Sequence, residues 1–454
     1  MKRRDFIKIS SAAAVAAACA PRDARSKSGM TKIAGQAGND EEAMLMRENP
    51  VNGDKVSALG FGCMRWPMID DGKGGRIIDQ EAVNEMVDYA LAHGVNYFDT
   101  SPAYLMGQSE KAAGEALRRH PRNSYYIATK LSNFGDASAQ ASKKMFFDSL
   151  EQLHTDYFDY YLLHAIGRGG KDAYNRRYVD NGIVPFLLEQ KKAGRIRNLG
   201  FSFHGAKHEF DYFMELHDSG QQVWDFCQIE MNYVDWKHAD GVRNVNADYL
   251  YEELDKRGIP IVIMEPLLGG RLARVPEGIA RQMKEREPER SAASWALRFC
   301  ATYPRVLTVL SGMTSMDPLK ENIETFGHFQ PLSAEEIEFL ERMATQMMEY
   351  PLVNCTDCKY CMPCPWGIDI PGTFQHYNKA ITDGTYAQST AQKDYAKLKK
   401  AYLVSYDRAV ASVRQADHCI SCGECLSHCP QSIPIPQQLR RIAQYVENLK
   451  QDTL

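Results

Sequence analysis

The chain alternates eight times between a short apolar run and an amphipathic or loop segment, and this repeat strongly constrains its fold. Each run has the length and the β-branched or aromatic content of a buried strand. The predicted strands cover residues 56–64, 95–101, 125–131, 158–164, 196–203, 226–233, 260–267 and 306–313. Helical periodicity marks several of the intervening segments, among them 81–93, 109–120 and 141–153.

Eight units of this spacing favour an α/β fold in which parallel strands close into a (β/α)8, or TIM, barrel. Gly94, Gly194 and Gly258 each precede a predicted strand, where glycine commonly ends a helix. A doubly wound sheet is the alternative fold. Against it, no Gly-x-Gly-x-x-Gly sequence follows an early strand. A chain of 454 residues also has room for a second domain.

Eight of the 12 cysteines lie in two short runs, each followed by a proline. The second run has the spacing of the bacterial ferredoxin motif, and the first is one residue shorter before its fourth cysteine. In that motif three cysteines bind one [4Fe-4S] cluster and the fourth binds the other cluster. The predicted ligands of cluster one are Cys355, Cys358, Cys361 and Cys429. Those of cluster two are Cys419, Cys422, Cys425 and Cys364.

Two other uses of these cysteines remain open. Paired Cys-x2-Cys sequences also bind zinc, and an exported protein can form disulfides. The stretch between the runs contains a Lys-, Ala- and Leu-rich segment, 391–414, that predicts a helix, and another helix is expected over 436–449. The cysteine region therefore resembles the α-helical ferredoxin domains of respiratory dehydrogenases. The isolated Cys63, Cys227 and Cys300 are expected to be buried.

The N-terminus has the order of charges and apolar residues that is typical of an export signal. Arg3 and Arg4 precede Phe6-Ile7-Lys8 and an Ala-rich run, which resembles a twin-arginine signal. We therefore predict a signal over 1–29, a linker over 30–52, the barrel over 53–348 and the cluster domain over 349–454. Export would place the protein in the periplasm, or on the membrane if Cys19 carries a lipid. An unstructured basic tail on a cytoplasmic protein is the alternative.

Charge and hydropathy limit the partners. The net charge is −4 and no basic stripe stands out, so a nucleic-acid partner is not expected. No apolar run is long enough to form a transmembrane domain. The basic residues Lys393, Lys397, Lys399 and Lys400 form either a solvated helix face or a docking surface for an acidic redox partner protein.

Polar residues follow three consecutive predicted strands at their carboxyl ends, where the chemistry of such barrels takes place. Asp99 ends the second strand, Tyr104 lies in the next loop, Lys130 ends the third strand and His164 ends the fourth. A buried Lys or Asp is costly unless it is paired, so these side chains are expected to meet in an acid–base site. A Lys ammonium near the Tyr hydroxyl would lower the pKa of the tyrosine, and Asp99 would keep the Lys charged.

This pattern resembles the aldo/keto reductase superfamily over about residues 53–330. Further matching sequences are Leu59-Gly60-Phe61-Gly62, Gly200-Phe201-Ser202-Phe203-His204, Cys227-Gln228 and Glu265-Pro266-Leu267-Leu268-Gly269-Gly270. The resemblance implies that Tyr104 is the general acid/base, that Lys130 and Asp99 tune it, and that His164 orients the substrate carbonyl.

The resemblance also implies a site for NAD(P)(H). Ser202 and Gln228 would hold the nicotinamide amide. The other cofactor-binding residues would be Pro266, Leu267, Gly269, Ser311, Gly312, Met313, Glu321 and Asn322. Phe203 stands where the family usually has Asn, and Met264 where many members stack an aromatic ring. Lys320 is the only cation near the segment that selects NADP, so NAD and NADP both stay open.

The sequence therefore predicts an oxidoreductase that transfers a hydride between NAD(P)(H) and a small carbonyl or alcohol substrate. The two clusters would connect this two-electron site to a one-electron carrier. The alternative is a barrel without turnover that acts as an iron–sulfur electron-transfer or redox-sensing scaffold.

Overall fold

The computed structural model of the protein describes residues 43–72, 75–239 and 244–454. The predicted signal, Cys19 and most of the linker lie outside these residues. In the part of the chain that is described, no helix combines the length and the apolar character needed to cross a membrane.

Eight parallel strands form a closed barrel, so the predicted fold is confirmed and the doubly wound alternative is wrong. Each strand pairs with the next along the chain, and the eighth closes the barrel by pairing with the first, Val309 beside Leu59. The strands are Leu59–Gly62, Tyr97–Asp99, Tyr126–Leu131, Phe158–Ile166, Ile196–Phe203, Cys227–Glu230, Ile261–Met264 and Val306–Ser311.

The predicted first strand is two elements rather than one. Lys55–Ser57 pairs antiparallel with Met46–Glu48, and the barrel strand begins only at Leu59. This hairpin covers the amino-terminal end of the barrel, because Asn49 Nδ2 donates to the Tyr160 hydroxyl at 3.1 Å. Val56 joins the cluster of buried side chains inside the barrel. A second hairpin, Met68–Asp70 with Arg76–Ile78, follows the first barrel strand.

Helices surround the barrel and bury their apolar faces against the strands. The first begins after Asp79, whose carboxylate accepts the Ala82 N–H, and ends before Gly94, which has a φ of +84°. Cys63, Cys227 and Cys300 are buried as predicted. The longer helices are Gln80–Ala92, Ser109–Leu117, Ala139–Gln152, Ile183–Lys192, Lys207–Asp218, Ala247–Lys256, Glu277–Arg286, Ala292–Thr302, Met316–Gly327 and Ala334–Glu349.

The C-terminal region is helical, as predicted. Tyr395–Ala409 and Ile435–Gln451 correspond to the two expected helices, and Ile370–Thr382 is an additional one. Asp369 caps the amino terminus of this additional helix, because its carboxylate accepts the Gly372 N–H at 3.0 Å. In the basic group considered for docking, Lys399 is paired with Asp452 at 2.7 Å.

Candidate active site and cluster ligands

An ion pair lies on the floor of the barrel mouth. Lys130 Nζ is 2.5 Å from Asp99 Oδ1 and also donates to the Thr100 carbonyl at 2.9 Å. Both side chains are buried, at 1% and 3% exposure. Burial lowers the pKa of Lys130 and raises the pKa of Asp99, and each charge opposes the shift of its partner. The second and third strands thus supply a fixed pair of opposite charges.

Tyr104 lies beside this pair, with Lys130 Nζ 5.1 Å from the centre of its ring. The expected direction of its pKa shift is wrong. Burial, followed by the negative charge of Asp99, raises the pKa of Tyr104 well above its ordinary value. The carboxylate of Glu265 makes a smaller contribution in the same direction. The hydroxyl therefore keeps its proton at neutral pH.

His164 completes the predicted group of four. Its ring centre is 6.0 Å from that of Tyr104, in an edge-to-face arrangement, and Ser132 Oγ is 2.5 Å from its Nδ1. Burial and the nearby cations, Lys130 first among them, hold the pKa of His164 well below its ordinary value. When Nδ1 accepts from Ser132, the neutral ring carries its proton on Nε2 and can donate it to a carbonyl oxygen.

These residues line a cavity of about 350 Å³ at the carboxyl ends of the strands. Asp99, Tyr104 and His164 are on its wall, and Lys130 lies below it. The cavity is also lined by seven of the predicted cofactor-binding residues, Ser202, Gln228, Pro266, Leu267, Gly269, Ser311 and Gly312. Within the described residues its lining does not include Met313, Glu321 or Asn322.

Met264 and Phe203, the two residues that depart from the family pattern, lie in different environments, one in the cavity and one in the core. Met264 lines the cavity, where the family commonly has an aromatic ring. Phe203 is buried instead and packs edge-on against Phe210, with ring centres 5.0 Å apart. Asn322 Nδ2 donates to Ser311 Oγ at 3.0 Å, so it supports a cavity residue from behind.

The cysteine domain also contributes to this cavity, which the sequence did not indicate. Cys358, Tyr360, Pro430 and Gln431 are on the wall that faces the barrel. The Tyr360 ring is edge-on to His164, with centres 6.4 Å apart. Nothing in the spacing of the cysteines marks Tyr360, because its role depends on how the two domains pack.

Several contacts hold the cysteine domain over the barrel mouth. Arg65 forms an ion pair with Asp357 at 3.2 Å and donates to the Thr356 carbonyl. On the opposite side, Gln431 Nε2 donates to Glu230 Oε1 at 2.6 Å. The described residues of both domains belong to one compact unit.

The cysteine thiols that act on one another electrostatically fall within the two predicted sets. In the first set, burial and smaller contributions from the charges of Cys358 and Cys429 raise the pKa of Cys355 to about 12. The pKa of Cys361 is likewise raised by burial and by the charges of Cys358, Cys355 and Cys429. In the second set, burial and the charges of Cys419, Cys422 and Cys364 raise the pKa of Cys425 to about 11.

The two runs share one backbone pattern. Asp357 and Ser421, each just before the second cysteine, have φ values of +52° and +61°. Lys359 and Gly423, each just after it, have φ values of +64° and +83°. Alternating left-handed residues turn backbone N–H groups to the inside of a loop, where they bind anions.

The sets fit a cluster better than a single ion. A cavity of about 60 Å³ is lined by Cys364, Cys419, Cys422 and Cys425, together with Cys361. Among the described residues, no three Cys, His, Asp or Glu side chains are close enough to hold one metal ion. Zinc needs such closeness, whereas a [4Fe-4S] cluster places its four thiolates on four separate irons. The described cysteines are all free of disulfides.

Comparison with known proteins agrees with this geometry. Residues 58–344 match the model of the aldo/keto reductase family. The chain belongs to the aldo/keto reductase family. It is thus an oxidoreductase of that family with a further domain, since residues 354–433 match the 4Fe-4S dicluster domain.

Similar proteins include L-galactose dehydrogenase from Arabidopsis thaliana, 26% identical over 303 residues that cover 63% of this chain and 88% of the relative. D-arabinose 1-dehydrogenase from Saccharomyces cerevisiae is 35% identical over 109 residues, 20% of this chain and 32% of the relative. Among solved structures, the holo form of the aldo-keto reductase AKR11C1 from Bacillus halodurans is 25% identical, with a TM-score of 0.52. That match covers 66% of this chain and 96% of the other.

Proposed function

We propose that the barrel transfers a hydride between NAD(P)(H) and a carbonyl or alcohol substrate, and that the two clusters exchange electrons with this site. One observation carries the proposal. A single cavity is lined by Asp99, Tyr104 and His164 of the barrel and by Cys358, a predicted ligand of cluster one.

The acid–base step follows from the protonation states. Tyr104 holds its proton at neutral pH and can give it to the carbonyl oxygen of a bound substrate. His164, neutral and fixed through Nδ1, donates from Nε2 to the same oxygen and orients it. The Asp99–Lys130 pair places a fixed ammonium below the Tyr104 ring, which would offset part of the cost that burial and Asp99 impose on the phenolate left after proton transfer.

The cavity fits the nicotinamide end of a dinucleotide. Gln228 Oε1 is buried without a hydrogen-bond partner among the described residues, and its Nε2 donates to Asp99 Oδ2 at 3.3 Å. A buried orphan acceptor is costly, and the amide N–H of a carboxamide would satisfy it. Bound NAD(P)H supplies the hydride. An aldo-keto reductase from Klebsiella pneumoniae with the same fold has been solved with NADPH.

The clusters match this chemistry by electron count. Oxidation of one alcohol to a carbonyl releases two electrons, and each [4Fe-4S] cluster accepts one. Cys358 lies on the cavity wall, whereas Cys422 of the second set is exposed. Electrons can therefore pass between the cavity and a partner protein at the surface through cluster one and then cluster two.

We also infer export by the twin-arginine route, on the basis of Arg3 and Arg4. Replacing both arginines by lysine should leave the protein in the cytoplasm. Fractionation of cells that express each form tests this, and an unchanged distribution would contradict it.

Replacement of Tyr104 by Phe tests the active site. Loss of the proton donor should lower kcat by about 10²-fold or more, with unchanged iron content. The assay follows NADPH and NADH with a panel of aldoses and ketones that includes L-galactose and D-arabinose. Tyr89→Phe, on an outer helix, is the matched control. Full activity in Tyr104→Phe would refute the assignment. Absence of nicotinamide binding by fluorescence titration would favour the scaffold alternative.

A further inference from the structure

Arg168 lies between the active site and the first set of cysteines. It follows the fourth barrel strand, Phe158–Ile166, which carries His164 near its end. Its guanidinium donates to the carbonyl oxygen of Ser427, in the 3-10 helix Glu424–His428. The barrel thus inserts a cation beside the cluster domain at the point where the domains meet.

Among the residues that the structure describes, no carboxylate is one of the groups that act most strongly on this cation. Burial lowers the pKa of Arg168, and the groups that favour its charge are Cys429, Cys358 and Tyr360, in that order. A partly buried guanidinium is costly unless an anion is near it. Cys429 and Cys358 are both predicted ligands of cluster one, and they would be thiolates when the cluster is bound.

We propose that Arg168 is a positioning residue for electron transfer, whose positive charge raises the reduction potential of cluster one above that of cluster two. Reduction adds an electron to a group that is already negative, so a cation at short range stabilises the reduced form. Cluster two has the exposed Cys422, and water screens charges near it.

The difference in reduction potential determines which of the two clusters is reduced first. Cluster one, next to the cavity, holds an electron more firmly than cluster two at the surface. Electrons from the active site are therefore collected at cluster one before they leave through cluster two. This inference rests on the proposed electron relay, although the potentials can be measured without substrate or nicotinamide.

The experiment is a redox titration of the purified full-length protein with dithionite, followed by EPR. Arg168→Met and Arg168→Gln both remove the charge, with Gln keeping a polar N–H donor, and Arg168→Lys keeps the charge. The matched control is Arg176→Met, which removes an exposed arginine eight residues away, in the helical segment Asn175–Val179. Iron and sulfide are counted in every variant.

The couple with the higher potential, that of cluster one, should fall in Arg168→Gln and Arg168→Met, by about tenfold in its ratio of reduced to oxidised cluster, or about 59 mV. It should stay near the wild-type value in Arg168→Lys and in Arg176→Met. Equal potentials in Gln and wild type, or an equal shift of both couples, would overturn the proposal. If the potential shifts as expected but no electrons pass between the active site and the clusters, only the proposed function is refuted.

Discussion

The ion pair between Lys130 and Asp99 is the most buried charged group of the active site. Each partner has little contact with water, so each depends on the other for its charge. The Thr100 carbonyl gives Lys130 a second acceptor, and Gln228 gives Asp99 a second donor. The floor of the cavity is therefore stable only while both charges are present.

Removing one partner should cost more than removing both. Lys130→Met alone leaves a buried carboxylate unpaired and should lower the free energy of unfolding by about 3–5 kcal/mol. The double variant Lys130→Met/Asp99→Leu should cost less than either single change. Urea unfolding of the three variants and wild type measures this, and strictly additive losses would contradict the pairing.

At this scale the sequence located the polar residues of the candidate site but not their protonation. Asp99, Lys130 and His164 could be predicted because polar residues at three consecutive strand ends must converge in a barrel. The pKa shift of Tyr104 could not, because its direction depends first on how deeply the side chain is buried, and that burial depends on packing between distant segments.

Glu110 joins three elements of the barrel wall. It lies in the first turn of the helix Ser109–Leu117, and it accepts from Thr129 Oγ1 at 2.5 Å and from Ser149 Oγ at 3.2 Å. Thr129 is on the third strand and Ser149 on the helix Ala139–Gln152. Burial raises the pKa of Glu110 to about 7. This carboxyl is thus held in its neutral form under mildly acidic conditions.

The raised pKa predicts a pH dependence of stability. Between the ordinary pKa of 4.5 and about 7 the folded chain binds the proton and the unfolded chain does not. Stability therefore falls as the pH rises through this window, by about 3 kcal/mol, and then levels off. In Glu110→Gln this loss should be absent.

Urea midpoints at about pH 5 and about pH 8 measure the difference for each variant. Glu151→Gln, at an exposed position of the neighbouring helix, is the control and should behave as wild type. An identical pH dependence in wild type and Glu110→Gln would be inconsistent with a raised pKa.

The elements themselves were largely predictable, since apolar periodicity identified all eight strands. The predicted first strand, 56–64, merges the end of the hairpin strand Lys55–Ser57 with the barrel strand because Val56 extends the apolar run of Ala58 and Leu59. Only the antiparallel pairing with Met46–Glu48 distinguishes the hairpin strand from the barrel strand. Local periodicity does not predict which segments pair with each other.

At the scale of the whole molecule, the cluster domain closes the barrel mouth. Gly269, in the loop after the seventh strand, lies so close to Thr356 that an added methyl group would clash with its backbone. Arg65 holds the same segment from the other side through Asp357. The segment from Thr356 to Tyr360 is thereby fixed over the cavity.

Gly269→Ala should disturb this contact specifically. Gly269 and Gly270 both have positive φ, at +67° and +94°, so Ala costs each of them about 1–2 kcal/mol of backbone strain. Only Gly269 adds a clash with Thr356, since no heavy atom of the described residues lies within 4 Å of a methyl group at Gly270. Gly269→Ala should therefore lose iron on purification more than Gly270→Ala. Equal iron content in the two variants would argue against tight docking.

This packing could not be predicted from the sequence. The cysteine spacing defines two ligand sets, but the docking contacts join residues hundreds of positions apart, such as Arg65 with Asp357 and Glu230 with Gln431. Such pairs carry no local pattern. The position of Cys358 beside Tyr104 and His164 is thus a finding of the structure.

Reduction of the clusters by nicotinamide tests the central proposal most directly. Anaerobic protein is mixed with NADPH or NADH and examined by EPR, with dithionite as the full-reduction standard. Each nicotinamide gives up two electrons and a proton, so one reduced cluster signal should appear for each electron. We expect one of the two nicotinamides to produce these signals at both clusters. Clusters that respond to dithionite but stay oxidised with both nicotinamides would contradict the account.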